Sequence, residues 1–317
     1  MTRSPFILAH GGEELVGTLH VDGAATSAGV GVLLLNAGPA PRAGNSDLSA
    51  HLADRLAVCG YPSARLDLMG LGDSTGPTPP TIDAYWREVL AGRNDAAVAA
   101  ACRDLRRRLG VDSMVVGGLC AGAVSAILAT CAAPEGVSGL ILLEPNLRTV
   151  PDTGPNAGGD EANGHAQQAP KSKFARMRSA REWLYWMTGE SRWARPFRPL
   201  RPGLEAVLER HVGHTLPSDA NVHLVLRWRQ LCDRGLPSLV VMADQHLAAK
   251  YCRRIVGSFP KSCLGAISTE FLLGTNHILT GGDARRLVGE AAQRWLAGLQ
   301  RRSGAARGPV SSVAAGT

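Results

Sequence analysis

Of the seven cysteines in this chain, Cys120 stands where a thiol could act as a nucleophile. The run Val115-Val116-Gly117-Gly118-Leu119-Cys120-Ala121-Gly122-Ala123 passes from an apolar strand pattern through Gly-x-Cys-x-Gly into small apolar residues that continue helically to about Ala132. A strand-to-helix corner of this kind, a nucleophile elbow, lifts its apex side chain above a parallel sheet and usually carries serine. Gly118 and Gly122 sit two places either side, where the strained apex needs neighbours without side chains. The apex also opens a helix, whose free N–H groups favour an anion and hence a thiolate. The competing reading is a buried structural cysteine in a Gly/Ala-rich junction.

A nucleophilic thiol needs a base and a group that orients it. Of nine histidines, only His277 falls in a loop between a late strand and the last helix, after Gly274-Thr275-Asn276. His10, His20 and His51 lie in early elements, where surface or packing roles are expected. Asp244, just after the apolar run Ser238 to Met242, is the expected acid. It stands two residues ahead of His246, the position a strand–Gly–x–x–Asp pattern would assign if Ala243 replaces the glycine, so a bulge must reset the loop. Glu144, ending the preceding strand in Leu142-Leu143-Glu144-Pro145, is the alternative acid. The backbone N–H of Ala121 and that of Ala37 or Gly38 are the expected oxyanion donors.

The elements that must position these groups alternate along the chain. Residues Pro5 to Val21 read as a hairpin turning at Gly11-Gly12, and Gly29 to Leu35 as a strand buried on both faces. A helix follows from Asp47 to about Val58, capped by Asn45 or Ser46, then a strand over Ser63 to Leu68. Helical periodicity runs from Ala84 to Leu109, with an interruption at Gly92, and the strand Val137 to Leu143 comes after the elbow helix. Beyond the insertion come a strand at Ser238 to Met242, a helix at Leu247 to Val256, a strand at Ile267 to Leu273 and a helix from Asp283 to about Leu299. Strand, helix, strand at this spacing predicts a doubly wound, mostly parallel α/β sheet, whose ligands bind at the carboxyl ends of the strands. Cys120, Asp244 and His277 all follow such ends.

The expected organisation is a core over 1–147 and 237–300, a helical lid insertion over 148–236, and a disordered tail over 301–317. Within the lid, 151–173 lacks large apolar residues and reads as a disordered loop. Trp183, Tyr185, Trp186 and Trp193 cluster after it and could line an apolar acyl pocket.

The runs Leu35-Asn36-Ala37-Gly38-Pro39, Asp67-Leu68-Met69-Gly70-Leu71-Gly72-Asp73-Ser74 and Gly118-Leu119-Cys120 resemble the serine-aminopeptidase-like branch of the α/β hydrolases. Within it they look most like the exosortase-system-associated hydrolases, over roughly Gly29 to Leu147 and more loosely around His277. The resemblance implies the α/β-hydrolase fold and a triad in the chain order nucleophile, acid, histidine. Dienelactone hydrolases, which also carry a cysteine elbow, resemble the chain less, being short and lidless.

Composition narrows the function. At 317 residues and 45% apolar content the chain can bury a full core. Its cysteines are odd in number and irregularly spaced, which predicts neither disulfides nor metal sites and suits a reducing cytoplasm. No apolar run approaches membrane-spanning length. His211 and His214, with His223 nearby, lack companion ligands, so neither metal nor cofactor is expected. The net charge of +7 is carried mostly by arginine, without the aromatic interleaving of a nucleic-acid surface. The excess of Lys and Arg over the lid suits an acidic partner, such as an acyl carrier protein or the phosphates of CoA. A cysteine at the elbow forms a reactive thioester and exchanges readily with thioester donors. The expected activity is therefore acyl transfer, by a thioesterase or an acyltransferase acting on carrier-bound or CoA-bound acyl groups. An esterase or lactone hydrolase of small esters, and a non-catalytic binding protein with a vestigial Cys120, are the alternatives.

Overall fold

Alternation of apolar and polar residues builds the first two strands, β1 (Thr2–His10) and β2 (Glu13–Val21), which pair antiparallel across Gly11-Gly12. Near-continuous aliphatic runs build the next ones, β3 (Val30–Leu35), β4 (Ser63–Leu66), β5 (Ser113–Leu119), β6 (Val137–Leu143) and β7 (Ser238–Ala243). Such strands can only sit with both faces covered. With β8 (Ile267–Leu272) they form one sheet in the order β1-β2-β4-β3-β5-β6-β7-β8, antiparallel at β1–β2 and β2–β4 and parallel elsewhere. The structure, a computed structural model, describes residues 1–23, 29–149, 216–244, 247–280 and 282–306.

Helices cover both faces. Against one lie α1 (Leu48–Val58) and the last helix, which bury Leu52, Leu56, Val288, Trp295 and Leu296 on Val115, Ile141 and Val241. Against the other lie α2 (Ile82–Leu90), α3 (Asp95–Leu109), α4 (Ala121–Ala132), α5 (Val222–Asp233), α6 (Leu247–Gly257) and the short α7 (Lys261–Leu264). The last helix is α8 (Gly282–Ala306). Each large aliphatic side chain so enclosed contributes roughly 1.5–3 kcal/mol relative to exposure. This is the doubly wound, mostly parallel sheet expected.

Several local expectations are met and others shift. The interruption at Gly92 is real: Gly92 takes φ 78 and separates α2 from α3. Neither Asn45 nor Ser46 caps α1. Ser46 and Asp47 are both left-handed, with φ 48 and 59, and Ala43 O instead accepts from Ser49 N at 3.0 Å and Ala50 N at 3.2 Å. A backbone carbonyl has taken the role predicted for a side chain. The final helix runs on to Ala306, past Arg301, where the tail was expected to begin; Arg301, Arg302, Ala305 and Ala306 are strong helix formers. The expected disordered loop, the Trp/Tyr cluster and most of the basic lid surface lie outside the described residues, as do His211 and His214. Among the described residues no helix is long and apolar enough to cross a membrane, and no group of three or more His, Cys, Asp or Glu could hold a metal ion.

Candidate active site

The strand order puts β5 between β3 and β6, so the elbow rises where the carboxyl ends of the central strands converge. Cys120 has φ 53 and ψ −107, conformational space that an L-residue enters only when its surroundings force it. The constraint comes from contact on both sides. A Cβ on Gly118 would lie 2.9 Å from Leu35 O, and one on Gly122 would lie 2.7 Å from Asn36 O and 2.8 Å from Leu35 O. The two glycines thus let the elbow press against the end of β3, from which the loop of Ala37 and Gly38 springs. Cys120 N completes the corner by donating to Leu143 O at 2.9 Å.

At the end of β6, Glu144 is fully buried and left-handed, with φ 44. That turn carries its carboxylate beneath the loop after β8. Oε1 accepts from the backbone N of Ala243, and Oε2 lies 2.9 Å from His277 Nδ1. The other imidazole nitrogen is left for Cys120, to which His277 is also hydrogen-bonded. The His277 loop is itself braced: Asn276 Oδ1 accepts from Thr280 N at 3.0 Å, and Leu279 is fully buried just beyond. The imidazole side chain remains 39% exposed, which leaves it accessible from the strand ends. Its pKa is raised to about 10, first by the hydrogen bond with Cys120 and then by that with Glu144, against the opposing effect of burial.

Asp244, the acid expected first, is not at the imidazole. It forms an ion pair with Arg253 on α6, and its side chain is 28% exposed. The structure brings together Cys120, His277 and the alternative acid Glu144. The left-handed backbone of Glu144, with φ 44, directs its carboxylate to the imidazole, whereas Asp244 is held away by its ion pair with Arg253.

Ala121 follows Cys120 as the first residue of α4 and is fully buried. Gly38 has φ 68, and nothing lies within 4 Å of where its Cβ would be. Ala37 and Cys120 pack against the same apolar cluster. The loop that carries Ala37 and Gly38 is tied down by a group to which the sequence analysis gave no role. Buried Asp67, after β4, accepts from Asn36 Nδ2 and Arg42 N at 2.7 Å each and from Asp73 N at 3.1 Å, and pairs with the Arg42 guanidinium. Asn36 Oδ1 in turn accepts from Leu68 N at 2.7 Å. The signal was present in sequence: Asn36 and Asp67 each follow one of two adjacent parallel strands, so their side chains must meet.

Burial pushes Cys102, Cys131, Cys232 and Cys252 up to about 12 and Cys263 to about 11, which makes these thiols poor nucleophiles. His20 has a packing role, bonded to Asp54 at 2.7 Å and to Arg65 Nε at 2.9 Å.

Comparison with known proteins agrees with this architecture. A family model described as alpha/beta hydrolase fold matches residues 31–182. No curated protein matches the sequence. Among solved structures, Est1E from Butyrivibrio proteoclasticus, determined with bound ferulic acid, is 14% identical with a TM-score of 0.54, covering 93% of this chain and 98% of its own. The haloalkane dehalogenase DbeA from Bradyrhizobium elkani is 15% identical with a TM-score of 0.54, covering 95% and 100%. A dienelactone hydrolase from Anabaena variabilis is 12% identical with a TM-score of 0.51, covering 94% and 97%. With strand order, strained elbow and family match in agreement, the chain has the α/β-hydrolase fold.

Proposed function

We propose that this chain is an acyl-transfer enzyme, a thioesterase or acyltransferase, in which Cys120 is the nucleophile, His277 the base and Glu144 the orienting acid. The observation that carries the reading is the continuous bonding of Cys120 to His277 and of His277 Nδ1 to a fully buried Glu144 at a strained elbow. A buried structural cysteine has no need of an oriented imidazole.

In the reaction, Sγ of Cys120 attacks the carbonyl carbon of an acyl thioester while its proton resides on His277. The developing oxyanion is held by Ala121 N–H and by a second amide from Ala37 or Gly38. Collapse expels the leaving thiol, which takes the proton from the imidazolium, and leaves the acyl group on Cys120. Water or another nucleophile then attacks this enzyme thioester with His277 as base, and Sγ departs. Glu144 keeps the Nδ1 proton and stabilises the imidazolium. Exposed Leu273 and Ile278, either side of His277, offer apolar surface to an acyl chain. An acidic carrier protein or CoA remains the partner class suited to the basic composition of 171–210.

Ester hydrolysis would use the same three residues, and this second reading draws its support from a thermophilic esterase of Thermogutta terrifontis, alike in fold. Intact-mass analysis after exposure to matched acyl thioesters and p-nitrophenyl esters separates the two. A single acyl adduct, formed faster from the thioester and absent in Cys120→Ala, is expected. An adduct that persists in Cys120→Ala would overturn the nucleophile, and faster turnover of the ester would favour the esterase.

A further inference from the structure

Ala37 and Gly38, the candidates for the second oxyanion donor, lie on a loop that is held by its ends. Gly38 is left-handed, with φ 68, and among the described residues nothing lies within 4 Å of where its Cβ would be. At the start of the loop Asn36, only 1% exposed, donates from Nδ2 to Asp67 Oδ1 at 2.7 Å and accepts from Leu68 N at 2.7 Å. At its far side Arg42 brings its backbone N to the same Oδ1 at 2.7 Å and its guanidinium to Oδ2. One fully buried carboxylate thus closes the loop that carries both amides.

Asp67 is itself aimed. Its backbone N donates to Val16 O at 3.0 Å, its carbonyl accepts from Ser74 Oγ at 2.7 Å, and left-handed Gly72, with φ 54, leaves no room for a Cβ beside the carboxylate. The loop also touches the elbow: Asn36 O would lie 2.7 Å from a Cβ on Gly122, two residues after Cys120. A buried ion pair adds little net stability, because desolvation offsets its attraction. What this network supplies is fixed geometry, and an oxyanion hole works only when its donors are in place before the charge develops.

We infer that Asp67, with Arg42 as its counter-ion and Asn36 as its bridge, is the positioning residue of the oxyanion loop, setting the amide of Ala37 or Gly38 to act together with that of Ala121. The inference rests on the proposal that Cys120 accepts the acyl group. The carboxylate meets donors on both oxygens, Asn36 Nδ2 and Arg42 N on Oδ1, the Arg42 guanidinium and Asp73 N on Oδ2. An amide in its place must therefore turn its NH2 group against donors.

The test compares wild type with Asp67→Asn in single-turnover acylation by hexanoyl-N-acetylcysteamine, followed by intact mass well below either Tm. The saturating rate should fall about tenfold to a hundredfold, while the half-saturating concentration stays within about twofold. Amide order parameters give a readout that general destabilisation does not: those of Ala37 and Gly38 should drop from about 0.85 to below about 0.6, and that of Ala121 should hold. A folded variant with the wild-type rate, or one in which Ala121 loosens as much as Ala37 and Gly38, overturns the inference. Should Asp67→Asn fail to fold, Arg42→Met decides, since it keeps the three N–H bonds to Asp67 and removes only the guanidinium. Its saturating rate should fall about threefold to tenfold with the same split, and an unchanged rate with unchanged loop order overturns the inference. Should wild type form no adduct, the acyl-transfer proposal fails by itself. The order parameters then decide the positioning role alone, and undiminished order at Ala37 and Gly38 in the variants overturns it.

Discussion

Two carboxylates end neighbouring parallel strands, and their circumstances are opposite. Glu144, after β6, is fully buried, sits on a left-handed backbone, accepts from the backbone amide of Ala243 and bonds the imidazole of His277. Asp244, after β7, is partly exposed and pairs with Arg253, whose guanidinium also lies 3.8 Å from the Phe271 ring centroid. Both follow apolar strands at the face where ligands bind in such sheets. The difference teaches that backbone direction and burial at the strand end, rather than the mere presence of a carboxylate there, decide which acid reaches the histidine. The left-handed turn at Glu144 gives its longer side chain the direction it needs.

Glu144→Gln should break the comparison most severely. The amide oxygen can still accept from Ala243 N, so the fold is expected to persist. Its NH2 group then faces Nδ1 of His277 and forces the imidazole into the tautomer that presents a proton to Cys120. Acylation should fall between about a hundredfold and ten-thousandfold, with KM changed far less. Stopped-flow or quenched mass analysis of the acylation step measures it. Near-normal rates in a folded Glu144→Gln protein would remove Glu144 from the mechanism.

Much of this was legible in the chain itself. The elbow was readable because glycine is demanded two places either side of a residue forced to φ 53, and the helix Ala121–Ala132 and strand Val137–Leu143 keep the bounds their residue patterns predict. His277 was readable because its loop joins the last strand to the last helix. The choice of acid was not, since both candidates follow apolar strands in the same way and differ in backbone conformation and burial, which the local sequence does not show. The start of α1 was misjudged because a backbone carbonyl, invisible to side-chain capping rules, satisfies its amides.

A smaller effect is expected in the titration of His277. Its raised pKa depends first on Cys120 and second on Glu144. The sign follows from linkage: a histidine held above its unfolded value, ordinarily about 6.5, adds stability below that pH and loses it as pH rises through about 10. In Cys120→Ala the larger of the two supports is gone, so the imidazole midpoint should drop toward the ordinary range while staying above it, held by Glu144. Proton–carbon NMR of labelled histidine across pH 5 to 11, a range set by these two values, follows it directly. A midpoint near 6.5 in wild type would show that neither bond forms in solution.

The least effect should come from Asp244→Asn. Its ion pair with Arg253 is solvent-facing, with side chains 28% and 46% exposed, and such pairs are worth about 0–1 kcal/mol. Arg253 keeps its stacking on Phe271, and the Asp244 backbone keeps its bond to Leu272 O at 3.0 Å. The Tm should therefore move by no more than about 4 °C, and the acylation rate by no more than about twofold, set against the loss in Glu144→Gln. The two variants must be measured side by side, because only their ratio tests the assignment. If Asp244→Asn were the slower of the two, the loop after β7 would have to rearrange in solution to bring Asp244 to the imidazole, and the proposed role of Glu144 would pass to it.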